Sequence, residues 1–237
     1  MNQADKPRLH ISAQFNAELE GVRNDLMTMG GLVESQIDHA IEAALDGDSS
    51  RAETAIELDM EVNELERSID EQCTRILVLR QPAAGDLRLV LATIKVTNDL
   101  ERIGDEAVKI GRQAIELSEG GALESASARV RELAGAVNSI LKDSLDSFAR
   151  LQVSDAATII LRDDDIDEAY TAAKAWLTSE IQAHPETLEA SLAYLGILKS
   201  LERVGDHAAN IAEQVIFLTR GVDVRHLDTL AVRDLVS

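Results

Sequence analysis

Apolar residues recur along this chain at intervals of three and four positions, which is the spacing of a helix that buries one face. In the last such stretch Leu201, Val204, Ala208, Ile211 and Val215 follow the pattern without a break. The pattern predicts helices over about 15–45, 50–80, 87–119, 122–151, 154–183 and 185–220. Short segments rich in Gly, Pro and Asp separate these stretches. The sequence therefore predicts an all-α fold of six long helices.

Several helix ends carry residues that favour a start or a stop. Ser49 or Ser50 is expected to cap the second helix and Ser154 the fifth, because a serine hydroxyl can accept a bond from a free amide of the first turn. Pro185 is expected to open the sixth helix, and Gly221 is expected to follow its last turn. Residues 222–237 are interpreted as a C-terminal tail.

One hexapeptide occurs twice. Leu100-Glu101-Arg102-Ile103-Gly104-Asp105 returns 101 residues later as Leu201-Glu202-Arg203-Val204-Gly205-Asp206, with a single Ile-to-Val exchange. Such a repeat indicates a tandem duplication. The halves align at an offset of 104 before the proline-containing turns and 101 after them. We therefore expect two three-helix bundles related by pseudo-symmetry: residues 1–119, which include a short polar leader, and residues 120–221.

The repeated segment places two carboxylates four positions apart in each half. Glu101 and Asp105, like Glu202 and Asp206, therefore project from one side of their helix, away from the centre of the apolar stripe. Oxygen ligands at this spacing suit Mg, Ca or Mn. The alternative is a solvated acidic face neutralised by nearby arginines and lysines. A glycine inside each segment costs about 1 kcal/mol relative to alanine, which suggests that another helix approaches closely there.

The duplicated register supplies a second side to each acidic pair. Asp59 aligns with Asp163, and Asn63 with Asp167, four positions further along the second helix of each half. These four residues are the natural further ligands. Asn63 carries no charge, so the second site is expected to bind metal more tightly.

Other polar residues are weaker candidates. His207 and Asn210 follow the second acidic pair, but Glu106 and Lys109 hold their places in the first half. Asp164 and Asp165 lack good counterparts, because they align with Met60 and Glu61, and they are interpreted as solvated charge. Three other histidines are expected at the surface: His39, His184 and His226. Cys73 falls among apolar positions and is expected in the core.

Composition and charge narrow the class of protein. Aromatic residues make up 3% of the chain, Gly and Pro are scarce, and the net charge is −20, a composition typical of long packed helices. The charge argues against a nucleic-acid partner and favours cations or basic protein surfaces. No secretory h-region is visible at the start, and the apolar stretches are far shorter than the ~20 residues of a membrane span. A single cysteine fits a reducing compartment. We expect a cytoplasmic protein.

With these residues in view, the chain closely resembles the PhoU family of bacterial phosphate-uptake regulators. The resemblance covers about residues 15–221 and rests on three segments: LRQPAAGDLR at 79–88, DLERIGD at 99–105 and LERVGDHAANIAE at 201–213. It implies two tandem three-helix bundles, each with a Glu/Asp-x-x-x-Asp signature that holds metal ions. The matching positions are Glu101 with Asp105 and Glu202 with Asp206. Asn63 departs from the Asp found in many relatives, which makes the first site less certain.

The resemblance also implies a function. Members restrain the phosphate-starvation response and phosphate uptake, by contacting the ATPase subunit of the phosphate ABC transporter and the phosphate-sensing histidine kinase. They commonly form homodimers and reach the membrane only through partners. The resemblance adds Fe or Zn to the Mg or Mn that the ligand type favours.

Two rival functions remain. The first is a structural helical adaptor whose acids never hold metal. The second is a di-metal carboxylate oxidoreductase of the ferritin-like type, which is disfavoured because that site uses Glu-x-x-His pairs on inward faces and no Glu here precedes a His by three positions. The sequence also contains no Gly-rich phosphate loop, no nucleophile elbow and no Cys/His metal spacing, so an enzymatic function is not expected.

Overall fold

The structure, a computed structural model, describes residues 6–121 and 123–225, with side chains described from residue 13 onward. Within those ranges the chain forms six α-helices and no strand. The helices are α1 Lys6–Asp46, α2 Ser49–Arg80, α3 Ala84–Gly120, α4 Glu124–Arg150, α5 Val153–Ala183 and α6 Leu188–Arg220. The predicted all-α fold of six long helices is confirmed.

The helices pack as two three-helix units that share one apolar core. In the first half α1, α2 and α3 contact one another, and in the second half α4, α5 and α6 do so. Leu100 and Ile103 of α3 are fully buried, as are their counterparts Leu201 and Val204 of α6. Burying each such side chain contributes about 1.5–3 kcal/mol. The apolar stripe of the sequence is therefore the face that forms the core.

Helices α3 and α6 form the most extensive contact between the halves. His207 of α6 meets Asp99 of α3, and Arg203 meets Glu106. Sequence numbers thus rise along α3 as they fall along α6, so the two helices are antiparallel. The two copies of the repeated hexapeptide consequently lie side by side near the middle of this pair.

The helix ends differ from expectation in several places. Helix α1 begins at Lys6 instead of at about 15, so the described part of the predicted polar leader is helical. Asp48, not Ser49 or Ser50, caps α2: its Oδ1 accepts bonds from the amides of Ser50 and Arg51 at 3.0 and 3.3 Å. Helix α5 begins at Val153, one residue before the expected cap, and no side chain caps it. The hydroxyl of Ser154 instead donates to Asp155.

The sixth helix also begins later than expected. Pro185 opens a single 3₁₀ turn, Pro185–Thr187, and α6 follows from Leu188. The end of α6 is as predicted, because Gly221 has φ +73° and its amide donates to the carbonyl of Phe217 at 2.8 Å. Beyond it Val224 packs into the core. Residues 226–237 of the predicted tail, with His226, lie outside the described residues.

Three single residues test the expected burial. Cys73 is fully buried, as predicted, and burial raises the pKa of its thiol to about 12. His184 is exposed, also as predicted. The prediction for His39 is wrong: it is half-buried and its Nδ1 is shielded from solvent without a hydrogen-bond partner. Helix α1 packs against α4 as well as against its own bundle, and Asn138 of α4 donates to Asp38, the residue before His39.

No helix within residues 6–121 and 123–225 has the length and the apolar character of a membrane-crossing segment.

Candidate metal sites

A glycine in each half lies beneath an aspartate of the neighbouring helix. A Cβ atom at Gly104 would lie 3.5 Å from Oδ1 of Asp59, and one at Gly205 would lie 3.1 Å from Oδ1 of Asp163. The same glycines contact Val62 and Ile166, which are also equivalent in the two halves. The glycines thus allow α2 and α5 to bring a carboxylate against α3 and α6, as the duplicated register predicts.

We call the acidic group between α2 and α3 the first carboxylate site; it comprises Asp59, Asn63, Glu66, Glu101 and Asp105. The amide of Asn63 donates to Oδ2 of Asp59 at 2.9 Å. Burial raises the pKa of Glu101, and repulsion from Asp105, Glu66 and Asp59 adds to the effect. Its carboxylate therefore shares one region with those from α2.

Glu66 is a carboxylate of the first site that was not predicted from the sequence. Burial raises its pKa, and repulsion from Asp70 and then from Asp105 contributes in the same direction. Its counterpart in the second half is Tyr170, so a search for acids present in both copies discards it. The available signal was its helical spacing, because Glu66 lies three positions after Asn63 and seven after Asp59, on the same face of α2.

We call the group between α5 and α6 the second carboxylate site; it comprises Asp163, Asp167, Glu202 and Asp206. The pKa of Asp163 is raised to about 7, first by burial and then by repulsion from Asp206 and Asp167. Burial raises the pKa of Asp206 as well, and Glu202 and Asp167 add repulsion. Oδ1 of Asp163 is buried without a hydrogen-bond partner.

Glu202 differs from its counterpart Glu101 by having a close cation. Lys199 donates to both carboxylate oxygens of Glu202, at 2.6 and 2.5 Å. The ammonium also lies 5.3 Å from the centre of the Tyr170 ring. These contacts raise the pKa of Lys199, chiefly through the hydrogen bond to Glu202. Lys199 was not predicted as part of the site from the sequence, because the first half has Asn98 at that position.

The donor atoms at both sites suit a hard cation, which prefers carboxylate and amide oxygens. In the arrangement observed, no three His, Cys, Asp or Glu side chains of the described residues converge closely enough to hold a metal ion. Closing each site requires rotation of side chains, because Glu202 is turned to Lys199 and the amide nitrogen of Asn63 is turned to Asp59. The unpartnered Oδ1 of Asp163 and the mutual repulsion at each site fit a cation that would satisfy both.

The secondary candidates His207 and Asn210 are engaged between the halves. Nδ1 of His207 lies 2.9 Å from Oδ1 of Asp99 on α3, and Asn210 donates to the same oxygen at 3.2 Å. The equivalent of His207 in the first half, Glu106, is buried and accepts a bond from Arg203. These positions therefore join α3 to α6. His207 and Asn210 line an open cavity of about 490 Å³, together with Asp163, Asp206 and Glu213. Asp164 and Asp165 are exposed, as expected.

Known proteins resemble this chain over nearly its whole length. Residues 26–114 and 130–215 match the family model described as the PhoU domain. A Pseudomonas aeruginosa protein described as a phosphate-specific transport system accessory protein PhoU homolog is 45% identical over 228 residues, which cover 96% of this chain and 94% of that protein. The phosphate-specific transport system accessory protein PhoU of Escherichia coli K12 is 40% identical over 225 residues, which cover 92% of this chain and 90% of that protein.

Two solved structures share the fold. The crystal structure of PhoU from Pseudomonas aeruginosa superposes with a TM-score of 0.86 at 45% identity, covering 88% of this chain and 100% of that one. The phosphate transport system regulatory protein PhoU from Streptococcus pneumoniae gives a TM-score of 0.82 at 30% identity, covering 89% and 99%.

Proposed function

This chain belongs to the PhoU family, and we propose that it regulates phosphate uptake by the phosphate-specific transport system and restrains the phosphate-starvation response. The observation that carries the proposal is the near full-length likeness to accessory proteins of that transport system, at 40–47% identity. The two family domains correspond to the two halves of the duplication. The proposal includes a cytoplasmic location, because the transporter ATPase acts there.

The proposed mode of action is contact with partners, without catalysis. The partners are the ATPase subunit of the phosphate ABC transporter and the phosphate-sensing histidine kinase, and the chain is proposed to act as a homodimer. A net charge of −20 spread along long helices supports docking on basic protein surfaces, because complementary charge speeds association and disfavours wrong partners.

Metal binding is a second part of the proposal. Cations would be held by α2 and α3 at the first carboxylate site and by α5 and α6 at the second. Mg or Mn suits the oxygen donors, and the family resemblance adds Fe or Zn. A bound cation would supply positive charge that offsets the carboxylate repulsion and would tie the two helices of each site together.

The rival that stays open is a helical adaptor whose carboxylates never hold metal. It is favoured by the absence, among the described side chains, of three converging ligands, and by the ion pair that already neutralises Glu202. A ferritin-like oxidoreductase is not proposed, because such a site uses Glu-x-x-His pairs and no Glu of the sequence precedes a His by three positions.

The test is a reporter of the phosphate-starvation response in a bacterium that lacks its own PhoU protein. In phosphate-rich medium the wild-type chain should restore repression. A variant with Glu101→Gln, Asp105→Asn and Asp206→Asn should restore it only in part at equal abundance. Glu202 is left intact in this variant so that Lys199 keeps its partner.

A charge-matched control separates the metal sites from the overall charge. Glu116→Gln, Glu119→Gln and Glu124→Gln remove three exposed carboxylates outside both sites and should leave repression complete. Full repression by the site variant would leave the metal without a regulatory role and favour the plain adaptor. Failure of the well-expressed wild-type chain to repress would contradict the proposed function itself.

A further inference from the structure

We infer that Lys199 is an internal cation that competes with metal for Glu202, so that the second carboxylate site fills only at a higher metal concentration than the first. The inference rests on the proposed function, namely that the two carboxylate sites bind cations. It adds that the two sites differ in metal affinity, although the repeated sequence suggests that they are equivalent.

The geometry of Lys199 is that of a bound counter-ion. Its ammonium donates to both oxygens of Glu202, at 2.6 and 2.5 Å, and so occupies the carboxylate edge that a metal ion would use. Glu202 is nearly buried, with a side-chain exposure of 11%, whereas the side chain of Lys199 is 48% exposed. The face of the Tyr170 ring lies 5.3 Å from the ammonium, an arrangement that favours a cation. Lys199 can therefore leave toward solvent, while Glu202 stays at the site.

Among the described residues of the first half, no lysine or arginine forms an ion pair with Glu101, although attraction from Arg102 partly offsets the raised pKa of Glu101. The counterpart of Lys199 is Asn98, which donates to the carbonyl of Ile94 in its own helix at 2.8 Å and is exposed. The counterpart of Tyr170 is Glu66, which lies close enough to Glu101 to raise its pKa by repulsion. Each of these two differences makes the second site less negative, whereas the third difference, Asn63 against Asp167, makes it more negative.

Counting charges shows the consequence. The first carboxylate site has four carboxylates: Asp59, Glu66, Glu101 and Asp105. The second also has four, and Asp164 adds repulsion to Asp163. The difference is that Lys199 forms an ion pair with Glu202, whereas Arg67 and Arg102 attract Glu66 and Glu101 of the first site without forming an ion pair with them. The expectation of a tighter second site rested on Asn63 alone, and Glu66 replaces the charge that Asn63 lacks. The first site is therefore expected to bind a divalent cation more tightly.

Metal binding and release of Lys199 form one equilibrium. A metal ion that binds Glu202 must displace the ammonium. By linkage, the ammonium lowers the affinity of the site for the metal ion by the same factor by which the ion weakens the ammonium contact. A charge-assisted hydrogen bond of this kind corresponds to about a tenfold change in an equilibrium constant. The first site would thus be saturated at a low metal concentration. The second site would fill only when the metal concentration rises further.

The binding test uses Mn²⁺ and the full chain, stripped of metal, with the first site silenced by Glu101→Gln and Asp105→Asn. In this background Lys199→Met should tighten Mn²⁺ binding about tenfold, because methionine keeps the length of the side chain and removes its charge. Lys199→Arg keeps the charge and should bind Mn²⁺ no more tightly than the parent, because a guanidinium also pairs with both oxygens of a carboxylate. A structural role of the lysine stem would instead make Met and Arg behave alike.

A reciprocal variant introduces the competing lysine into the first half. With the second site silenced by Asp163→Asn and Asp206→Asn, Asn98→Lys should weaken Mn²⁺ binding at the first site about tenfold. Asn98→Met is the matched control and should leave the affinity unchanged. Circular dichroism of each variant checks that the helices are intact.

A second readout does not depend on affinity. Lys199 should react faster with acetic anhydride when Mn²⁺ is present, because its amine is freed from Glu202, whereas the exposed Lys174 of α5 should react at a constant rate. Mass spectrometry of tryptic peptides measures both. If the parent binds Mn²⁺ but Lys199→Met binds it no more tightly, or if Mn²⁺ leaves the reactivity of Lys199 unchanged, the inference is wrong and the proposed metal sites stand. If neither the wild type nor Lys199→Met binds Mn²⁺, both are wrong.

Discussion

The contact between Gly205 and Asp163 is the smallest unit on which the second carboxylate site depends. A Cβ atom at position 205 would lie 3.1 Å from both Asp163 Oδ1 and Ile166 Cδ1. Ile166 is 2% exposed and has little room to move. The glycine thus lowers the helix propensity of this position but allows the close approach of α5.

Replacing this glycine should therefore destabilise the protein although alanine is the better helix former. Gly205→Ala is expected to lower the free energy of unfolding by about 1–3 kcal/mol through overpacking. Gly135 of α4 provides the control, because a Cβ there meets nothing within 4 Å; Gly135→Ala should raise the free energy of unfolding by about 1 kcal/mol. Urea unfolding of both variants measures the difference. Stabilisation by Gly205→Ala would show that α5 does not need the approach.

Glu213 of α6 gives a pH dependence that does not involve the proposed ligands. Burial raises its pKa to about 7, and repulsion from Asp223 and Asp99 adds to the shift, partly offset by Arg225 and Lys95. The folded state thus holds this proton more tightly than the unfolded state, whose pKa is near 4.5. The contribution of Glu213 to stability is present at low pH and is lost as the pH rises through about 7.

Glu213→Gln should accordingly make the metal-free protein more stable at alkaline pH. The gain in the free energy of unfolding relative to wild type should be largest above about pH 7 and should vanish near pH 4.5. The exposed Glu116 supplies the control Glu116→Gln, which should follow the wild-type pH curve. Urea titrations across this range, in the presence of a chelator, check the result. A gain that is the same at every pH would point to packing instead of ionisation.

The candidate residues show what a duplicated sequence can predict. Asp59 and Asp163 were found because both copies keep an aspartate in register, and the structure places each against the equivalent glycine. Glu66 and Lys199 were missed because the copies differ there. A comparison between copies detects what the halves share, whereas the charge balance of each site depends on what they do not share.

At the scale of the helix, the start of α2 shows why helix boundaries were harder to predict than helices. Asp48 lies one residue before the two serines that the sequence offered as caps, and it accepts bonds from the amides of Ser50 and Arg51. Three candidates in a row cannot be ranked from sequence, because the cap is set by which residue leaves the helical backbone conformation. The apolar period, repeated over many turns, does not suffer from this ambiguity.

Removing the observed cap should cost more than removing either serine. Asp48→Ala is expected to lower the free energy of unfolding by about 0.5–2 kcal/mol, whereas Ser49→Ala should change it by less than about 0.5 kcal/mol. Thermal or urea denaturation distinguishes the two. Equal losses from both substitutions would mean that the cap observed at Asp48 does not stabilise α2.

At the scale of the whole molecule, the antiparallel pair α3 and α6 gives each half its own carboxylate site while joining the halves. The sequence predicted the two halves from the repeat, but it could not predict that His207 and Asn210 would reach across to Asp99. That contact follows from how the bundles dock, which no local pattern encodes. Because each site is built from two helices of one half, loss of one site should leave the other intact.

Independence of the two sites is the most direct consequence of the account, and equilibrium dialysis of the metal-stripped full chain against Mn²⁺ measures it. The wild type should bind saturably. Glu101→Gln with Asp105→Asn should remove the tighter class of sites only, and Asp163→Asn with Asp206→Asn the weaker class only. The combined variant should bind no Mn²⁺ saturably. Saturable binding by the combined variant equal to that of the wild type, or none by the wild type, would contradict the account.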